Sequence, residues 1–147
     1  MSKEKIEVEK IIKKEEKYYF FLNQYTDYSF TRCPKCDNKT KVKKLPLAIL
    51  LEKNKMIFIL NKTCKFCPYC ELIIAKKHEL DSIIKQFLSL NHIAQEYHFV
   101  IGTQDKAVYR EGFNKRLIKE NPLEGVSIFK DLWNFESQTT YWRINEK

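Results

Sequence analysis

Two short cysteine motifs of identical spacing constrain the fold of this chain more than any other feature. Each motif has two cysteines separated by two residues, with a proline directly after the first cysteine: Cys33-Pro34-Lys35-Cys36 and Cys67-Pro68-Tyr69-Cys70. A tight turn of this kind brings two thiolates close together, and two such turns can surround a metal ion with four sulfurs in a tetrahedron. We therefore predict that Cys33, Cys36, Cys67 and Cys70 bind one Zn²⁺ per chain.

The fifth cysteine leaves one alternative open. Cys64 precedes Cys67 by three residues, so these two also have the ligand spacing, and Cys64 could replace Cys70 as a ligand. We favour Cys67 and Cys70 because Pro68 repeats the position of Pro34. Cys64 is then a small buried residue beside the site, with a redox or ligand-exchange role as the alternative.

The composition is that of an ordinary globular protein. The 147 residues are 44% hydrophobic and 31% charged, which fits one domain or one domain with a small appendage. No apolar run approaches the roughly 20 residues of a membrane helix, and Met1–Lys5 is charged, unlike the start of a secretory signal. We therefore expect a cytoplasmic protein with no membrane partner, whose cysteines are reduced rather than paired in disulfides.

The paired motifs resemble the zinc-ribbon and rubredoxin-like knuckle superfamily over about residues 28–76. The resemblance implies two strand–knuckle–strand units that together hold one metal ion. The glycine that usually follows each knuckle is Asp37 in the first and Glu71 in the second. Asp tolerates the left-handed backbone conformation and Glu does so poorly, which predicts a looser second knuckle. The long spacer between the knuckles fits an inserted β-hairpin.

The hydropathy pattern predicts an α+β fold in which a zinc-ribbon sheet packs on an amphipathic helix and is followed by a C-terminal extension. Predicted helices cover 3–17, 77–91 and 126–135, and predicted strands cover 28–31, 45–51, 56–60, 71–75 and 97–101. The strands 45–51 and 56–60 form the hairpin, and their lack of alternation predicts that both faces are covered. We expect Trp133, Phe135, Tyr141 and Trp142 to seal the edge of the core.

The sequence leaves two alternatives for the residues that follow the predicted strand 97–101. After a turn at Gly102–Asp105, the residues Ala107–Arg110 could form a hairpin strand, or Asp105 could cap a helix that begins there.

We divide the chain into an N-terminal helix with an aromatic lead-in (1–27), the zinc ribbon (28–76) and an α/β extension (77–147), which together form one compact domain.

The positive charge is concentrated in the stretch that contains every cysteine. Residues 32–77 contain twelve Lys/Arg and three Asp/Glu, a net charge of +9 (12 − 3), whereas the rest has 15 basic and 16 acidic residues and a net charge of −1. Such a local field attracts phosphate backbones or acidic protein surfaces. Four thiolates with one Zn²⁺ carry −2, so the loaded chain is nearer +6 (8 − 2), and the lysines also stabilise the thiolates.

These features predict a binding module and not an enzyme. Four cysteine ligands leave no open position on the metal, and His78, His92 and His98 follow no catalytic zinc motif. We expect the basic ribbon surface to contact DNA or RNA, with Tyr69 and Phe66 as candidates for base stacking. The candidate contact residues are Arg32, Lys35, Lys43, Lys44, Lys65 and Tyr69.

Two other hypotheses are compatible with the same motifs. The chain could be a protein–protein adaptor or self-associating structural subunit whose zinc is purely structural. It could also be an electron carrier similar to rubredoxin, with iron in the same four-sulfur site.

Overall fold

A computed structural model describes residues 16–53, 55–115, 125–138 and 141–144. These residues form a mixed α+β structure, as predicted, while the predicted helix over 3–17 lies almost wholly outside them. In chain order the elements are β1 (Tyr19–Asn23), β2 (Lys41–Leu51), β3 (Met56–Cys67), β4 (Leu72–Lys76), α1 (Lys77–Leu90), β5 (His98–Gln104), α2 (Lys106–Lys115), β6 (Val126–Ile128), β7 (Asp131–Trp133), β8 (Phe135–Gln138) and β9 (Tyr141–Ile144). Within these ranges, neither helix combines the length and the apolar character that crossing a membrane requires.

The chain forms two compact units, each assembled from three separate segments. The first unit contains the described residues of Met1–Lys17, Leu45–Lys62 and Glu96–Phe129. The second contains those of Tyr18–Lys44, Thr63–Gln95 and Lys130–Lys147. The long strands β2 and β3 both continue from one unit into the other, and all five cysteines belong to the second unit.

In the first unit, β5 pairs antiparallel with β2 on one side and with β6 on the other. Strand β3 is the other neighbour of β2, which confirms the predicted hairpin. Five consecutive residues of β2, Leu45 to Ile49, are buried, which explains why their sequence does not alternate. Gly102 is required where β5 passes close to β6, because a Cβ there would clash with the Ser127 carbonyl oxygen.

The residues after β5 form a helix. The predicted turn at Gly102–Asp105 is wrong, because β5 continues to Gln104 and Asp105 caps α2 directly. The Asp105 carboxylate accepts hydrogen bonds from the backbone N–H groups of Ala107 at 2.9 Å and Val108 at 3.3 Å. These bonds satisfy two donors that the first turn of a helix leaves without partners. The helix alternative is therefore confirmed, and the hairpin-strand alternative is wrong.

In the second unit, β1 is the central strand. It pairs in parallel with β4 on one side and with β7 on the other, and the end of β3 pairs antiparallel with β4. Phe21 of β1 is fully buried between its register partners Ile74 and Trp133. The strand predicted at 28–31 is wrong, since the aromatic run forms its strand earlier, and Phe30 has a φ of 50°, outside the range of strands.

The helix predicted over Val126–Phe135 is also wrong. Val126–Ile128 forms β6 of the first unit, Asp131–Trp133 forms β7 of the second, and Phe135 begins β8, which pairs with β9. In β6 two buried residues flank the half-buried Ser127, which is the two-residue period of a strand. The apolar residues of this ten-residue segment fit both the helix period and the strand period. Pairing with distant strands decides which of the two structures forms.

The predicted helix over 77–91 is confirmed as α1. Its buried side chains are Leu80, Ile84 and Leu88, and the helix lies against β4. The spacing of these residues places them on one face of the helix, as the sequence pattern indicated. The strands predicted at 71–75 and 97–101 are present as β4 and β5, with boundaries shifted by one to three residues.

The core of the second unit joins aromatic side chains to the cysteine motifs. Its buried members are Phe21, Phe30, Cys33, Cys67, Leu72, Ile74 and Phe135. The half-buried side chains packed against them are Tyr19, Tyr25, Cys36, Cys70, Trp133, Trp142 and Ile144. Three of the four aromatic residues predicted at the core edge are therefore in this cluster, while the side chain of Tyr141 lies outside the described residues.

Candidate metal centre

Each cysteine motif forms a tight turn, and the residue directly after the turn has a left-handed backbone conformation. In the first turn, the N–H of Asp37 donates to the Cys33 carbonyl oxygen at 2.8 Å, and Asp37 has a φ of 63°. In the second, Glu71 has a φ of 55°. For a residue other than glycine, the left-handed conformation costs about 1 to 2 kcal/mol of free energy, and Asp tolerates it better than Glu. Both residues thus adopt the left-handed backbone conformation that glycine takes most readily.

The two turns bring four sulfurs together. The Sγ atoms of Cys33, Cys36, Cys67 and Cys70 all lie within 4.8 Å of one another. The Sγ atoms of Cys33 and Cys70 are 3.9 Å apart, and those of Cys36 and Cys67 are 3.5 Å apart. A tetrahedral site with Zn–S bonds of about 2.3 Å has edges of about 3.8 Å, so both distances fit such a site. These four thiols could hold a metal ion.

The site is half in the core and half at the surface. Cys33 and Cys67, the first cysteine of each motif, are buried, whereas Cys36 and Cys70 are half-buried. None of the five cysteines, all of which are among the described residues, forms a disulfide, so each of the four has a sulfur available for coordination. A metal ion held by them would link two turns that are thirty residues apart in sequence.

Three of the sulfurs accept hydrogen bonds from nitrogen donors. The backbone N–H of Lys35 donates to Cys33 Sγ, and that of Cys70 donates to Cys67 Sγ, both at 3.4 Å. The third donor is a side chain, since Asn38 Nδ2 lies 3.2 Å from Cys36 Sγ. Hydrogen bonds of this kind orient a thiolate and stabilise its charge.

The four environments affect the thiols differently. Burial raises the pKa of Cys33 to about 11, and burial with a hydrogen bond to Cys36 raises the pKa of Cys70 as well. Desolvation also acts to raise the pKa of Cys36, but hydrogen bonds from Asn38, Cys67 and Cys70 outweigh it and lower the pKa to about 7. A metal ion must displace the remaining protons, so protons and metal compete for the site as the pH falls.

Cys64 is not part of the four-sulfur group. It is buried in β3, three residues before Cys67. Because side chains in a strand alternate between faces, Cys64 and Cys67 point to opposite sides of β3. The pair therefore has the spacing of a knuckle without its turn, and Cys70 completes the group instead.

The predicted contact residues do not share one face. Arg32 donates to the Asp37 carbonyl oxygen at 2.9 Å and lies 4.0 Å from its carboxylate. Lys35 is exposed, with its ammonium 5.9 Å from the centre of the Trp133 ring. Tyr69, at the tip of the second turn, is 74% exposed and can meet a partner.

The remaining candidates lie on β2 and β3. Lys43 is half-buried and places its ammonium 4.7 Å from the centre of the Phe66 ring, while its neighbour Lys44 is exposed and points to the opposite face. Lys65 is half-buried in β3. Phe66 is only 9% exposed and makes an edge contact with Tyr18, so it is not a stacking surface.

Two residues near the site were not predicted. Asn38 follows Cys36 by two residues, where the chain turns back toward the sulfurs, and this position is the signal that could have identified it. Lys130 is distant in sequence, yet its ammonium lies 3.6 Å from the Glu71 carboxylate and 5.6 Å from the centre of the Tyr19 ring. No local pattern indicates the role of Lys130, because it depends on the pairing of β1.

None of the protein-family models, curated proteins or solved structures compared with this chain matches it. The geometry of the four cysteines is therefore the observation on which a functional interpretation is built.

Proposed function

We propose that this chain is a non-enzymatic zinc-binding module whose metal ion has a structural role. The observation that supports this proposal most strongly is the position of the ligands in the core. Cys33 and Cys67 belong to the same buried cluster as Phe21, Phe30 and Phe135. A metal ion bound there would crosslink the two turns inside a hydrophobic core. The free energy of binding a structural zinc ion therefore contributes to the stability of the fold.

Zinc fits this donor set better than hard cations do. Hard cations such as Mg²⁺ and Ca²⁺ prefer oxygen ligands, whereas four thiolates select zinc or iron. Four protein ligands close the coordination sphere, which leaves no position for a substrate or an activated water. The absence of disulfides among the five cysteines, all of them described, also fits a reducing compartment such as the cytoplasm.

Metal analysis of protein purified without added metal tests this proposal. We expect one zinc per chain, a colourless protein, and loss of the folded conformation of the first knuckle when a chelator removes the ion. A red protein with one iron per chain and visible charge-transfer bands would instead favour the electron carrier. Protein purified with neither zinc nor iron, which also binds neither metal when it is added, contradicts both.

We further propose that the basic stretch around the site contacts nucleic acid. The charge of residues 32–77 supports this, together with the exposure of Lys35, Lys44 and Tyr69. Cations that neutralise phosphates make binding depend steeply on salt, and an exposed tyrosine can stack on a base. Because the candidate residues lie on more than one face, we expect single-stranded segments to bind more readily than a rigid duplex.

A charge-matched pair of variants tests this second proposal. Lys35, Lys44 and Lys65 are replaced by glutamine in the test variant, and Lys85, Lys106 and Arg110 are replaced in the control, so both lose three positive charges. We expect the test variant alone to reduce the salt dependence of binding, by about one unit of slope per lysine. Absence of binding at about 50 mM salt contradicts nucleic-acid contact and favours the adaptor hypothesis.

A further inference from the structure

The two knuckles differ at one position that contacts a sulfur. Asn38 follows Cys36 by two residues, and Leu72 follows Cys70 by two residues. The Asn38 amide nitrogen lies 3.2 Å from Cys36 Sγ, while the side chain of Leu72 has no donor and is fully buried in β4. The equivalent position therefore supplies a hydrogen bond in the first knuckle and packing in the second.

The backbone of Asn38 is held in place independently of its side chain. Its carbonyl oxygen accepts the N–H of Cys33 at 2.8 Å, which ties it to the start of the same turn. The neighbouring bridge between Arg32 and Lys39 fixes the chain on both sides. A metal-bound thiolate only accepts hydrogen bonds, so the amide must present its NH₂ group to Cys36 Sγ.

We infer that Asn38 is a positioning residue for the metal site, which donates to the Cys36 thiolate and thereby sets how tightly the first knuckle holds the ion. The inference rests on the proposed zinc binding and adds the residue that tunes it. Cys36 is the half-buried ligand of its knuckle, so its sulfur is partly exposed to solvent. The Asn38 amide gives this sulfur a fixed hydrogen-bond donor, which keeps the sulfur oriented toward the metal.

Two variants and a matched control test the inference. Asn38→Leu gives the first knuckle the residue that the second already has, and Asn38→Asp keeps the shape but exchanges the donor for a negative oxygen. Asn91→Leu is the control, because Asn91 also donates one side-chain hydrogen bond, to the Phe87 carbonyl oxygen at 2.8 Å, at the end of α1. The readouts are zinc affinity by chelator competition and the absorption spectrum of the cobalt-substituted protein.

We expect Asn38→Leu to weaken zinc binding about tenfold and Asn38→Asp to weaken it by more, toward about a hundredfold. Loss of the hydrogen bond raises the energy of the sulfur electrons, so the thiolate-to-cobalt bands of Asn38→Leu should shift to longer wavelength. Asn91→Leu should change neither quantity. Wild-type affinity and an unshifted spectrum in Asn38→Leu overturn this inference alone, whereas wild-type protein that binds neither metal overturns the proposed function with it.

Discussion

The two knuckles have the same sequence motif but receive their support from different parts of the second unit. The second knuckle lies between β3 and β4, so strand pairing holds both of its ends. The first lies between Arg32 and Lys39, and the isolated bridge that joins these two residues replaces a strand ladder. We therefore expect the conformation of the first knuckle to depend more on a bound metal ion than that of the second, because the sheet already positions the second.

The residues after each knuckle extend this contrast. The Glu71 carbonyl oxygen accepts the N–H of Tyr19 at 2.8 Å, which connects the second turn to β1, and its side chain faces Lys130. Asp37 is exposed and contacts Arg32 of its own turn. Tertiary contacts therefore stabilise the left-handed Glu71, whereas local contacts stabilise Asp37.

The largest expected effect tests whether both knuckles are needed. Cys36→Ser and Cys70→Ser each remove the half-buried ligand of one knuckle, and each should weaken zinc binding by more than the roughly 100-fold that hydrogen-bond partners of ligands contribute. Cys64→Ser is the control, and its zinc content should stay at one per chain, as measured by native mass spectrometry. Retention of tight zinc binding in Cys70→Ser but not in Cys64→Ser would show that Cys64 is the fourth ligand.

Removal of the metal should separate the knuckles. We expect the amides of Cys33 and Asp37, which bond within the first turn, to lose hydrogen-exchange protection by on the order of a hundredfold or more in metal-free protein. The amides of β4 should lose less, because strand pairing persists there. Equal loss of protection in both regions would mean that the sheet does not position the second knuckle.

The equivalent positions Asn38 and Leu72 should differ in their effect on stability. Leu72 is fully buried, so Leu72→Ala should lower the free energy of unfolding of zinc-loaded protein by about 2 to 5 kcal/mol through the cavity it leaves. Asn38→Ala removes one exposed hydrogen bond and should cost about 1 kcal/mol. Denaturant unfolding with excess zinc measures both, and the comparison fails if the order is reversed.

The smallest expected effect concerns the left-handed residues. Glu71→Gly relieves a backbone penalty but increases the entropy of the unfolded chain, so we expect a net stabilisation of about 0.5 to 1 kcal/mol. The lost contact with Lys130 is partly exposed and offsets little of this gain. Asp37→Gly should gain less, since Asp already tolerates this conformation. Unfolding midpoints of the two variants test the order.

The sequence was most informative where structure depends on neighbouring residues. The cysteine spacing predicted the four-sulfur group, the apolar spacing of Leu80, Ile84 and Leu88 predicted α1, and Asp105 provided the cap that begins α2. Each of these features is decided within a turn or two of chain. The left-handed conformation occurs at both Asp37 and Glu71, whereas the poor tolerance of Glu for it had predicted a looser second knuckle.

Structure that depends on pairing between strands distant in sequence could not be predicted. Strands β1 and β7 pair with each other in parallel, more than one hundred residues apart, and neither has a local signal that distinguishes it from its surroundings. Val126–Phe135 was assigned to a helix because its apolar residues fit that period equally well. The contact of Lys130 with Glu71 depends on the same distant pairing, so it was invisible in the sequence.

The central claim is that both knuckles bind one zinc ion through four sulfurs. X-ray absorption at the zinc edge of protein purified without added metal tests it most directly. We predict a first shell of four sulfurs at about 2.3 Å and no nitrogen or oxygen ligand. A shell with fewer than four sulfurs, or with oxygen or nitrogen in place of one, would contradict the claim that all four cysteines hold the ion.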